Sequence, residues 1–202
     1  MSKRALELVR QLKHLPGKHP QKSHGSGSGS GTMYGVHTQA AVDEALNWIA
    51  KATLSSKGTT SLSHEAEAFL SETVDPAKNY KLYRGIGIIR QRIDEANRAE
   101  LNNLKPGDAV PDFLNRQVAE IASYSKKKSV ANYYAEGSMS VVAMTTDKNR
   151  IVADLENLPK VLSKYGINSK FDESDIDYWK SDKEVFVKEP ASSVIVSVKG
   201  RI

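Results

Sequence analysis

Apolar residues fall at helical spacing early in the chain and in alternating or continuous runs late in it. Val42, Ala45, Leu46 and Ile49 share one helical face, so the spacing predicts a helix over 38–52 with Thr38 as its cap. Ser63 can cap a second helix reaching Leu70 or Ser71. Asp75-Pro76 marks a turn, and residues 80–86 read as a strand. Helical patterns return over 88–103, broken near Asp94, and over 113–121 behind Asp112. A third runs from Ser125 to Ala135 and stops near Gly137. Strands are expected over 138–145, 150–153, 184–188 and 193–199, with a helix over 155–165 that takes Pro159 in its first turn. Residues 168–180 are polar and acidic, with Tyr178 and Trp179 set among them. Helices come first, strands cluster late and no repeat is present, which indicates an α+β fold.

The segment before this pattern differs in kind. Ala5, Leu8, Val9 and Leu12 would line one face of a short helix over 3–13, marginal in isolation. Residues 25–31 alternate Gly and Ser, the composition of a flexible linker. A boundary therefore falls near residue 33, with a basic tail and linker over 1–32 and one domain over 33–202. Residues 1–24 carry a net charge of +5, the same as the whole chain of 202 residues. The isoelectric point near 9.2 thus describes the tail, and a basic nucleic-acid-binding face on the domain does not follow from it. His14, His19 and His24 recur every five residues, a spacing that gathers ligands on neither a helix nor a strand face. A metal site and a solvated basic tail are both readings of it, and no metal is expected. Zero cysteines exclude disulfides and thiolate metal sites. No apolar run approaches a membrane span and none follows the basic N-terminus, so neither a membrane anchor nor a signal peptide is expected, in keeping with a soluble, cytoplasmic protein.

Candidate chemistry concentrates in residues 181–187, Ser-Asp-Lys-Glu-Val-Phe-Val. At the mouth of a strand, Asp182 and Glu184 would point to one face and Val185 and Val187 to the other. Like charges held together repel, and such pairs are a common means of handling positive charge. Ordinary solvated alternation gives the same pattern. Arg84, on a strand between apolar residues, needs an anion or a carboxylate partner. Ser123 and Ser125 flank Tyr124 just before a helix, where serines also serve as caps.

In order along the chain these three features resemble the mono-ADP-ribosyltransferases of the arginine–serine–glutamate class. Tyr83-Arg84-Gly85, Ser123-Tyr124-Ser125 and Asp182-Lys183-Glu184 stand for the three motifs. The turn over 104–108, the helix over 125–135 and the hairpin over 184–196 resemble their flanks, so the resemblance covers residues 38–200. Tyr124 departs from it, standing where the family has a small residue.

The resemblance implies an ADP-ribosyltransferase-like core of two packed, mainly antiparallel sheets with an N-terminal helical region. It implies cleavage of the nicotinamide–ribose bond of NAD through an oxocarbenium-like state, with NAD as substrate and hydrolysis as a side activity. Glu184 would be the catalytic glutamate, holding the ribose 2′-hydroxyl and stabilising developing positive charge. Arg84 would grip the NAD phosphates, and Gly85 would let the backbone approach the nicotinamide amide. Ser123 would bind near the ribose and orient Glu184, with Ser125 in support. Asp182 occupies the position where glutamate goes with arginine acceptors, which implies a protein arginine of the host as acceptor; aspartate is one methylene shorter, and a non-protein acceptor is the alternative. Tyr178 and Trp179 fall where the family recognises its acceptor, although they can equally anchor a loop. The segment over 13–25 is similar to short segments of tailed-phage head-associated proteins, which implies a toxin-like phage enzyme carried with the virion through residues 1–24. Two other classes fit the sequence: a non-catalytic head-associated or scaffold-binding module docking through its basic tail, and a glycosidase using Asp182 and Glu184. Carboxylates two apart on one strand suit the last poorly, since they do not flank a sugar bond from opposite sides.

Overall fold

A computed structural model of the chain describes residues 33–52, 61–88, 93–115, 120–135, 137–168, 171, 173–189 and 191–202. The tail helix, its histidines and the Gly/Ser linker lie outside the described residues, as does Pro190.

A two-residue hairpin of β1 (Met33–Tyr34) and β2 (His37–Thr38) leads into α1 (Gln39–Ala52), where the Ala41 amide donates to Thr38 Oγ1 at 3.2 Å. Ser63 caps α2 (His64–Ser71) by accepting from the Ala66 amide. Then follow β3 (Leu82–Ile88), α3 (Glu95–Asn103) capped by Asp94, and the single turn α4 (Asp112–Asn115). The helix expected over 113–121 is corrected here: Ile121 already belongs to β4 (Ile121–Ser125), and pairing of all five of its residues with the strand over 184–188 wins it for the sheet. The remaining elements are α5 (Lys128–Tyr134), β5 (Met139–Thr145), β6 (Ile151–Asp154), α6 (Leu158–Lys164), α7 (Glu173–Asp182), β7 (Glu184–Lys188) and β8 (Ser193–Gly200). Helix α7 occupies the polar stretch that had no assigned element, with Glu173 and Asp175 in its first turn, where acids suit the helix dipole.

The fold is α+β. Six strands form one antiparallel sheet in the order β6-β7-β4-β3-β5-β8, beside the small β1-β2 sheet. Numbered from one at β3, the order reads 4-5-2-1-3-6. The two packed sheets that were expected are instead two three-stranded halves joined at one residue pair, Tyr83↔Ser125. Inside each half pairing is extensive, seven residue pairs between β3 and β5 and five between β4 and β7. Beyond Tyr83↔Ser125, β3 and β4 carry no further pairs and part.

Each half has its own apolar packing. Val42, Ile49, Phe69, Leu158 and Trp179 from α1, α2, α6 and α7 cover Ile121, Ala153 and Phe186 on the β6-β7-β4 half. Leu101 of α3 and Leu114 of α4 pack on Ile88, Met139, Val141 and Ile195 of the other half. Helix α5 lies across β3 and β5 through Ala131 and Ala135 on Tyr83 and Val142. The join between the halves therefore runs through the middle of the sheet, with α5 and α7 on either side of it.

Candidate active site

The three sequence motifs fall on neighbouring central strands: Arg84 on β3, Ser123 on β4 and Glu184 on β7. Ser125 and Glu184 are register partners, and Ser125 also forms the join to β3. Antiparallel alternation puts Ser123, Ser125, Glu184 and Phe186 on one face. There Ser123 Oγ donates to Glu184 Oε1 at 2.6 Å.

Glu184 is 9% exposed, and its second oxygen, Oε2, is buried without a protein partner among the described residues. Burial, reinforced by the charge of Asp182 and opposed by the Ser123 bond, pushes its carboxyl up to about 7. A carboxylate held half-ionised at neutral pH, with one oxygen anchored and one bare, is arranged to meet an incoming donor or cation.

Asp182 is not on the strand, which corrects the expectation that it would share a strand face with Glu184. It ends α7, and Lys183 turns the chain into β7 with φ 55°, the one non-glycine residue in the left-handed region among those described. That conformation costs about 1–2 kcal/mol and is imposed by surrounding bonds. The Lys183 amide donates to Trp179 O at 2.8 Å, and the Lys126 amide donates to Lys183 O at 3.1 Å. Lys183 Nζ pairs with Glu156. Ser125 Oγ donates to the Asp182 carbonyl and accepts from the Lys127 amide at 2.9 Å. Ser125 thus ties the corner before α5 to the acidic turn, while the start of α5 carries no side-chain cap.

Arg84 is not joined to this pair. Its Nη1 lies 3.2 Å from Glu189 Oε1, and its guanidinium sits 6.0 Å from the centre of the Tyr124 ring. Tyr124 donates to the same Glu189 oxygen at 2.6 Å, and Glu189 Oε2 accepts from the Ala191 amide at 2.8 Å. Burial, with Glu189 adding to it, pushes the Tyr124 hydroxyl up to about 12. By alternation Arg84 and Tyr124 occupy the face opposite Ser123 and Glu184, where β3 and β4 part. The carboxylate demanded by a half-buried arginine is therefore Glu189, whose place was not legible because the pairing spans 105 positions.

Gly85 serves a packing need: a Cβ there would stand 2.0 Å from Ala131 O, so glycine is what lets α5 lie on β3. Trp179 is corrected as an acceptor contact. It is 2% exposed and packs edge-on against Phe171, which anchors α7. Tyr178 stands one residue away and is 42% exposed. Its hydroxyl lies 2.9 Å from that of Tyr134, which also donates to Asp182 Oδ2 at 3.3 Å. The sequence reading missed Tyr134. Its signal was the adjacent pair Tyr133-Tyr134 on a short helix, where two neighbours cannot share one buried face.

Compared with known proteins, the chain matches no protein-family model, no curated protein and no solved structure. No described helix is long and apolar enough to cross a membrane.

Proposed function

We propose that the protein is an NAD-dependent mono-ADP-ribosyltransferase that transfers ADP-ribose to arginine of an acceptor protein, with hydrolysis of NAD when water takes the acceptor's place. The observation that carries this reading is the Ser123–Glu184 pair at the centre of the sheet, with one Glu184 oxygen unpartnered and a second carboxylate two residues away. Ionised Glu184 would accept a ribose hydroxyl on its free oxygen and offset positive charge at the anomeric carbon. Ser123 would keep that carboxylate aimed. The bond to nicotinamide breaks with its electron pair on the leaving nitrogen, the acceptor nitrogen bonds to carbon, and that nitrogen gives up a proton to water. Asp182 would orient the acceptor. Arg84 lies on the opposite face and is paired with Glu189, so binding the diphosphate would require it both to exchange that carboxylate for phosphate oxygens and to reach through the parting of β3 and β4. The sequence resemblance extends the proposal to a host acceptor, the host cytoplasm as its place of action, and carriage with a virion through residues 1–24.

The test is release of nicotinamide and transfer of label when the full chain is incubated with labelled NAD, with and without host lysate. Glu184→Gln is expected to lower cleavage by about 10²–10³-fold, the scale of losing one preorganised electrostatic group. Asp182→Ala is expected to lose transfer and keep hydrolysis. Absence of nicotinamide release from the unsubstituted protein at high enzyme concentration overturns the reading.

A further inference from the structure

Asp182 is half-buried and makes no ion pair among the described residues. Three lysines stand close to it in the fold, and each is engaged elsewhere. Lys126 pairs with Asp154 and Glu156, Lys183 pairs with Glu156, and Lys127 Nζ donates to Ser181 O at 2.9 Å. Lys127, bound only to a carbonyl, keeps its charge near the turn, but Asp182 itself is left without a direct ion pair among the described residues, beside the buried Glu184.

What does surround Asp182 is phenol. Tyr134 on α5 reaches across to Tyr178 and Asp182 on α7, so the contact spans the join between the sheet halves. Tyr133 meets the Tyr134 ring edge-on at 5.2 Å between centroids. Tyr133, Tyr134 and Tyr178 are 67, 53 and 42% exposed, three large aromatic side chains left open in one place. Open aromatic faces grouped beside a carboxylate that makes no ion pair are a recognition surface for a planar cation.

On the reading of function given above, we propose that Tyr134 is a specificity-determining residue that completes, with Tyr178 and Asp182, a site for the guanidinium of the acceptor. A guanidinium is planar, delocalised and weakly hydrated, so it stacks on aromatic faces while its N–H groups pair with a carboxylate. Tyr134 Oη, 3.3 Å from Asp182 Oδ2, holds the place of one such N–H through a long bond that a charge-assisted pair would replace. Burial, together with the charges of Asp182 and Glu184, raises both phenols above their ordinary range, so they stay neutral donors beside the acids. A compact ammonium gains less from such a site, because it lacks the plane that stacks.

The probe is agmatine, a small guanidinium acceptor, with cadaverine as the ammonium control, using the full chain. The readout is the partition of ADP-ribose between agmatine and water, with the KM for each substrate. Tyr134→Ala is expected to lower the agmatine-to-water partition about tenfold through a raised KM for agmatine, the scale of one cation–aromatic contact. Tyr134→Phe keeps the ring and is expected to retain most of the partition, which also controls for misfolding. An unchanged partition in Tyr134→Ala overturns the proposal. So does an equal loss of transfer and hydrolysis with a raised KM for NAD, which would assign the ring to nicotinamide. Agmatine is also titrated without NAD while the aromatic proton resonances of Tyr133, Tyr134 and Tyr178 are followed. Shifts of these rings in a protein that cleaves no NAD would uphold the site and sink the enzymatic reading. Unmoved rings in a protein that cleaves NAD would do the reverse.

Discussion

Two buried carboxylates on adjacent strands of the same half-sheet have opposite surroundings. Asp154, at the end of β6, is fully buried, and Lys126 Nζ lies 2.6 Å from both of its oxygens. Tyr80 and Asn157 donate to it at 3.0 and 3.3 Å, and its own amide donates to Thr73 Oγ1 at 2.8 Å. Glu184, on the neighbouring β7, has one hydroxyl on one oxygen and no partner among the described residues on the other. Complete satisfaction makes Asp154 a fixture that pins β6 to β4 and to the loop before β3. Incomplete satisfaction leaves Glu184 an interaction to give away. Burial alone does not mark a functional acid; burial without a partner does.

The sharpest way to break this contrast is to strip Asp154 of its cation. Lys126→Met leaves a buried charge short of compensation and is expected to cost about 3–5 kcal/mol in urea unfolding at pH 7. A loss under 1 kcal/mol would mean that Asp154 is no better compensated than Glu184.

The next effect is on the other member of the comparison. Glu184 has its folded carboxyl raised to about 7 from an ordinary 4.5, so the native state keeps a proton that the unfolded chain gives up. Stability from this group is present below pH 4.5 and is lost as pH rises through 7, by about 3 kcal/mol in all. The difference between the unfolding curves of the wild type and Glu184→Gln, taken from pH 4 to 8, isolates that slope; parallel curves would refute it. On the proposed function, cleavage of NAD would need the ionised form and is expected to rise over the same window in which stability falls. Ser123→Ala removes the bond that favours ionisation and is expected to move the acid limb of activity to higher pH.

The smallest effect trims Asp154 by one donor. Tyr80→Phe is expected to cost about 1.5–3 kcal/mol, the scale of one hydrogen bond to a charged group. Equilibrium unfolding would show whether Lys126 alone already suffices.

Much of the scaffold was legible along the chain. The caps Thr38 and Ser63, the strand over 184–188 and the separate character of the first 32 positions follow from local rules. Asp94, by contrast, read as a break in a helix over 88–103, caps a helix that begins only at Glu95, with Ile88 still in β3. The misreadings have specific causes. The pattern over 113–121 suits a helix, but Ile121 and Ala122 are claimed by pairing with Lys188 and Val187 on a strand far along the chain. Trp179 beside Tyr178 gave no sign of which one the core would take, because a helix turns neighbours about 100° apart and tertiary packing picks the inward one. Of the candidate site, the identities of Ser123 and Glu184 were readable, whereas their contact was not.

By itself the sequence determined which residues carry charge, hydroxyl or ring, where most helices begin, and that the fold would mix helices with late strands. Only the tertiary structure decided which carboxylates are satisfied: that Lys126 and Lys183 go to Asp154 and Glu156 rather than to the acids beside them, that Arg84 goes to Glu189, and that Tyr134 reaches Asp182. The reason is physical. Backbone preference and amphipathic spacing act over a few residues, while pairing a buried charge is a long-range choice among partners that folding brings within reach.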